Sequence, residues 1–128
     1  MKNDAATLTM ELPADRLVEG ILQLSAGRED AALESFASVL PGESTPWALC
    51  SARLHLLRGE LAAARVRLEQ VIAREPGLAE AYFMLGQVHR AAFRPFEAAA
   101  CFRAALRLEP GHRRAASALA ELLEVQEP

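Results

Sequence analysis

Gly59-Glu60-Leu61-Ala62-Ala63-Ala64-Arg65 … Glu75-Pro76-Gly77 is answered 34 residues later by Phe93-Arg94-Pro95-Phe96-Glu97-Ala98-Ala99 … Glu109-Pro110-Gly111. Pro76 and Pro110, His55 and His89, and Ala64 and Ala98 all stand at that separation. A period of this size marks a unit that cannot bury its apolar face alone and must stack on copies of itself. It fixes the architecture and points away from catalysis, without naming a partner.

Each unit reads as two helices. Residues 79–91 place apolar side chains at Ala81, Tyr82, Leu85 and Val88, with Ala92 just beyond, which is helical spacing. Residues 94–108 do the same at Phe96, Ala98, Ala99, Phe102, Ala105, Leu106 and Leu108. Glu-Pro-Gly then stops the helix, because Pro cannot continue it and Gly permits a left-handed exit. Small residues at Gly86, Ala64 and Ala98 let two antiparallel helices approach, and Tyr82, Phe102 and Leu68 fill the space beside them.

The stretch Tyr82-Phe83-Met84-Leu85-Gly86-Gln87-Val88 … Ala98 … Phe102 … Ala105 … Pro110 resembles the tetratricopeptide repeat. That family places an aromatic, a Leu-Gly pair, a small Ala, an aromatic, a second Ala and a Pro at these offsets. His89 departs from it, standing where the family usually has Tyr. One period back, Ala52, Ala64, Leu68, Val71 and Pro76 fill the matching positions of residues 45–78, with Trp47 one residue from the family's aromatic. A further step finds Gly20, Gly27, Ala32, Phe36 and Val39 within residues 13–44, a unit two residues shorter in which Pro41 truncates the second helix. Residues 113–125, apolar at Ala115, Ala116, Leu119, Leu122 and Leu123, look like a lone capping helix. The resemblance implies an all-α fold, a right-handed superhelix of antiparallel helix pairs. One domain spans 13–125, preceded by a segment 1–12 that is flexible or covers the groove and followed by a short tail, 126–128.

Composition agrees with this. The chain has 128 residues and a net charge of −3, which gives no global pull toward nucleic acid or anionic membranes. Lys2 is the only lysine, which suggests a GC-rich, bacterial genome. No apolar run is long enough to span a bilayer, and residues 1–7 lack the pattern of a signal peptide. A cytoplasmic protein with reduced thiols at Cys50 and Cys101 is expected.

The chemistry-bearing residues favour packing. His55 and His89 recur at one period with no third ligand at matching spacing, so no metal and no cofactor is expected. The glycines are dispersed singly, and no nucleophile elbow occurs, so no catalytic residue is assigned and no enzyme activity is expected. Arg103, Arg107, Arg113 and Arg114 lack interleaved aromatics and read as a solvated face.

The family's arrays usually bind peptides on the concave surface lined by first helices. The inward positions carried over are Leu17, Ile21 and Leu24, then Leu49, Arg53, Leu56 and Leu57, then Glu80, Phe83, Met84, Gln87 and Arg90. This predicts a largely apolar groove with two arginines, suited to a peptide with hydrophobic anchors and acidic flanks. One subset of the family grips a terminal carboxylate with Lys and Asn. Here those positions hold Leu17, Ile21, Cys50, Glu80 and Met84, so binding of such acidic tails is not expected. The resulting expectation is an adaptor or scaffold that binds a protein partner. Two other roles stay open: a small bacterial secretion chaperone for an exported subunit, and a self-assembling homodimer whose residues 7–12 occupy the groove.

Overall fold

The computed structural model describes residues 16, 19, 20, 22–40, 42 and 44–126. After helical residues 22–25 come α1 (Glu29–Val39), α2 (Thr45–Leu57), α3 (Leu61–Arg74), α4 (Ala79–Ala91), α5 (Pro95–Leu108) and α6 (Arg113–Gln126). No strand occurs among the described residues. Each helix packs on the next in chain order, and α2 also touches α4. The result is an all-α superhelix: α2 pairs with α3, α4 with α5, and α6 packs on α5.

Local chemistry sets the boundaries. At the turn inside each repeat the chain leaves its helix through one left-handed residue: Gly27 (φ 80°), Gly59 (φ 76°) and Phe93 (φ 59°). The following N–H then reaches back to a carbonyl five residues earlier, Arg28 to Gln23 at 2.8 Å, Glu60 to His55 at 2.8 Å and Arg94 to His89 at 2.9 Å. This closes the orphan carbonyls of the helix end. Helix α1 stops at Val39 because Leu40 precedes Pro41 and is driven extended (φ −85°, ψ 144°). Helix α2 is capped by Ser44, whose hydroxyl accepts the Trp47 N–H at 3.3 Å. Helix α5 starts at Pro95, one residue later than the periodicity suggests, because Arg94 is its non-helical cap residue.

The seam between paired helices repeats along the chain. Gly86 lies against the Phe102 ring so closely that a Cβ there would sit 2.5 Å from Cε1. Gly20 stands in the same relation to Phe36. In the middle repeat the equivalent positions hold Ala52 and Leu68, both fully buried. A missing methyl on one helix is matched by a larger ring on the other, which keeps the seam close-packed. Phe102, Leu68 and Val71 are the largest fully buried side chains, each contributing roughly 1.5–3 kcal/mol through burial. Helix α4 carries the most buried surface, with Ala79, Ala81, Phe83, Met84, Leu85, Gly86 and Val88 all inside.

Candidate functional site

Helices α2, α4 and α6 share one face, bordered by the start of α1, and side chains of neighbouring repeats meet across it. Arg53 donates from Nε to Glu29 at 2.9 Å and from a terminal nitrogen to Gln87 at 3.2 Å. Arg90 reaches Glu121 at 2.6 Å. Arg114 holds both Glu80 oxygens, at 2.7 and 2.8 Å. Among the described residues, the two arginines that the sequence places on the inner wall are thus held by polar partners from neighbouring helices. Such half-exposed pairs are each worth about 0.2–1 kcal/mol, so they set register and charge more than stability.

The nine expected groove residues divide into three groups. Leu17 and Ile21 lie outside the described residues, as does segment 1–12. Leu49 and Leu56 are half-buried against the core, Met84 is buried in it, and Phe83 is only 4 % exposed. Arg53, Gln87 and Arg90 are the polar members just described. Phe83 is covered because α6 folds over it: the Arg114 guanidinium stacks 4.8 Å above its ring, and the His112 ring lies 4.9 Å away. Phe83 and Met84 thus belong to the hydrophobic core, a correction to the expected open wall. The start of α6 supplies the burial that position in a single repeat could not reveal.

His112 is a residue that the spacing argument passes over. It is buried, and its Nδ1 accepts the Ala115 N–H at 3.1 Å, capping α6. With Nδ1 as acceptor, Nε2 carries the proton and donates it to Glu80 at 3.1 Å. Glu80 thereby ties the start of α4 to both His112 and Arg114. The 34-residue separation of Glu80 and Arg114, the same as that of Arg53 and Gln87, was the available signal.

Between α4 and α6 an open cleft of about 330 Å³ is lined by Phe83, Gln87, Arg90, Arg113, Arg114 and Glu121, with Ser117 and Ala118 at its side. Three guanidinium groups face one carboxylate there. Arg113 makes no side-chain hydrogen bond or ion pair among the described residues. It therefore borders the cleft as an unpaired cation, with Glu80 and Glu109 lining the pocket on its other side, whereas the sequence places it on a merely solvated face. On the outer side, Trp47 stacks with Arg67 at 4.5 Å and lines a second groove with Gln70 and Ala73.

The thiols and histidines are set for packing. Burial raises the Cys50 thiol above its ordinary value, partly opposed by a backbone hydrogen bond from Ala37. Burial, with the nearby Glu97 carboxylate, pushes Cys101 up to about 11. Both stay protonated at neutral pH, and Cys50 donates to the Leu33 carbonyl at 3.3 Å. His55 bonds Glu60 at 3.1 Å. Among the described residues no three His, Cys, Asp or Glu side chains converge.

Helix pairs stacked at a fixed period and presenting one inner face across which their side chains meet define a helical repeat array. Residues 79–112 match the family model described as tetratricopeptide repeat. They are such a repeat, and the array containing them has the tetratricopeptide fold. Similar solved structures include the first TPR of Spaghetti (RPAP3) bound to HSP90 peptide SRMEEVD, at 17% identity and a TM-score of 0.67, covering 90% of this chain and 93% of that one. The first TPR domain of human RPAP3 is similar at 18% identity and a TM-score of 0.66, covering 89% and 91%. MamA is similar at 21% identity and a TM-score of 0.65, covering 95% of this chain and 74% of that one. Comparison of the sequence with curated proteins returns no match.

Proposed function

We propose that this chain is a non-catalytic protein-interaction module that takes a short peptide in the cleft between α4 and α6. The observation that carries this is the cluster of three guanidinium groups there, with Arg113 unpaired beside the paired Arg90 and Arg114 and the edge of Phe83. A peptide with an apolar residue next to carboxylates fits that chemistry. In support, similar structures hold acidic peptides: the Spaghetti domain with SRMEEVD, and the second TPR domain of human RPAP3 with HSP70 peptide SGPTIEEVD. Glu80 and Met84 stand at two positions where related domains clamp a terminal carboxylate. Glu80 is acidic and already bonded, and Met84 is buried. The reading is therefore of an internal acidic segment, held by arginines of α6, in a cytoplasmic adaptor.

The test is selection of heptapeptides from a random displayed library, followed by fluorescence anisotropy. Selected peptides should combine Asp or Glu with one apolar residue and lose about tenfold in affinity on Arg113→Glu, roughly 1.4 kcal/mol. Equal binding to the variant would sink this reading.

A further inference from the structure

The turn between α4 and α5 breaks the pattern of the other two. Gly27 and Gly59 hold the left-handed position in the earlier repeats, as the backbone there favours. In the third repeat that position is Phe93, with φ 59° and 92 % exposure. An aromatic residue in this region is uncommon and strained, and this one buries almost nothing in return. Three residues on, Phe96 is 76 % exposed where the middle repeat has Ala62. These two largely bare rings, one of them held against backbone preference, add little burial to the fold. Observed strain at an exposed residue is a pointer to contact with something else.

The two chain neighbours of Phe93, Ala92 and Arg94, help line a notch of about 130 Å³ between α3 and α4, together with Leu61, Val88, Arg65 and His89 and with Ala62 at its edge. No carboxylate lines it. Arg94 and His89 make no side-chain hydrogen bond or ion pair among the described residues, and Arg65 is held only by Glu69 at 3.5 Å. An engineered apolar cavity of about 150 Å³ accepts one benzene, so the notch has room for one aliphatic side chain. The two rings expose on the order of 300–400 Å². That falls well short of the roughly 800 Å² per partner of a stable interface between globular chains, and it suits a short segment better than a second copy.

We infer that this edge is a second docking site, separate from the concave cleft, for a short segment of another protein in which one aliphatic residue is flanked by carboxylates. The aliphatic side chain enters the notch, its neighbours lie on Phe93 and Phe96, and the carboxylates meet Arg94 and Arg65.

The test is selection of random displayed dodecapeptides on the full chain, with counter-selection on a Phe93→Asn Phe96→Ser double variant. Surviving peptides should carry Leu, Ile, Val or Met between Asp or Glu. Their dissociation constants should rise at least about tenfold on Phe93→Asn and on Arg94→Glu and stay unchanged on Arg113→Glu, which separates this site from the cleft. Phe93→Asn should melt no lower than the parent, since Asn tolerates the left-handed region. The proposal falls if no peptide survives counter-selection, if survivors lack acidic residues, or if Arg113→Glu weakens them as much as Phe93→Asn does. It also falls if Phe93→Asn lowers the melting temperature. A parent dimer that Phe93→Asn converts to monomer in sedimentation would overturn it too, making a second copy the occupant.

Discussion

Residues 45–78 and 79–112 follow one plan and fill it differently. The second repeat closes its helix seam with Ala52 and Leu68, the third with Gly86 and Phe102. The second turns at Gly59, the third at Phe93. Helix α4 enters from Leu78 with no side-chain cap, whereas α6, one repeat on, enters from a capping His112. Inside, the two repeats conserve summed volume while exchanging its parts. At the edges they diverge freely, because nothing in the array packs there. Difference at the seam is therefore read as packing, and difference at the turn as use.

The largest contrast is expected in the cysteines. Cys50 belongs to the second repeat and Cys101 to the third, where burial and Glu97 push the thiol up to about 11. Against an ordinary value of 9.0, this leaves on the order of one-hundredth of the usual thiolate at pH 8, and the thiolate is the reacting form. Alkylation of Cys101 by iodoacetamide, followed in a Cys50→Ser background, should be slowed to that degree and accelerate until the pH nears 11. A rate like that of a free peptide thiol would show that α5 opens readily and that the third repeat is no tighter than the second.

The seam itself gives the next effect. Gly86→Ala sets a methyl against Phe102 and should cost about 1–3 kcal/mol, as overpacking does. Phe102→Leu alone should lose stability by leaving a void. Made together they recreate the second repeat's pair, and the double variant should be more stable than the two losses added, by about 1 kcal/mol or more. Urea unfolding of the four proteins measures this. Strict additivity would refute the idea that ring and missing methyl compensate one another.

Much of this plan was legible in the chain. Gly86, Ala98, Phe102 and Pro110 stand at offsets only a helical hairpin satisfies, and α4 runs over the 79–91 that the apolar spacing indicates. The inner face was less legible. A first-helix position points inward, but whether it stays open depends on what lies across from it. Phe83 and Met84 have the sequence signature of a groove wall and are buried, since Arg114 and His112 close over Phe83. Arg53–Gln87 and Glu80–Arg114 sit one 34-residue period apart, but whether such side chains meet depends on how neighbouring repeats dock, and Glu29–Arg53 lies off that period altogether. Arg113 and Arg114 are neighbours in sequence with opposite fates, one paired and one not, decided by the turn of a single helix residue.

His112 gives a smaller expected effect. His112→Ala removes the α6 cap and the Glu80 contact, and should cost about 1–2 kcal/mol by analogy with other lost caps. His112→Asn can still accept the Ala115 N–H and should recover part of that. If alanine and asparagine were equally damaging, packing against Phe83 would be the residue's main role and the cap incidental.

The smallest effect separates the turns. Gly59→Phe should destabilise by about 1–2 kcal/mol, because a side chain is forced into the left-handed region with nothing to pack on. The reverse change, Phe93→Gly, removes that strain but adds about 0.5–1 kcal/mol of chain entropy to the unfolded state. With the ring 92 % exposed, no burial is lost, so the net change should lie within about 1 kcal/mol of zero, on the stabilising side. Thermal unfolding of the two variants decides between a ring kept for the fold and a ring kept for contact. If Phe93→Gly melted well below the parent, the third turn would be a packed element, and its departure from the glycine of the first two would belong to the core.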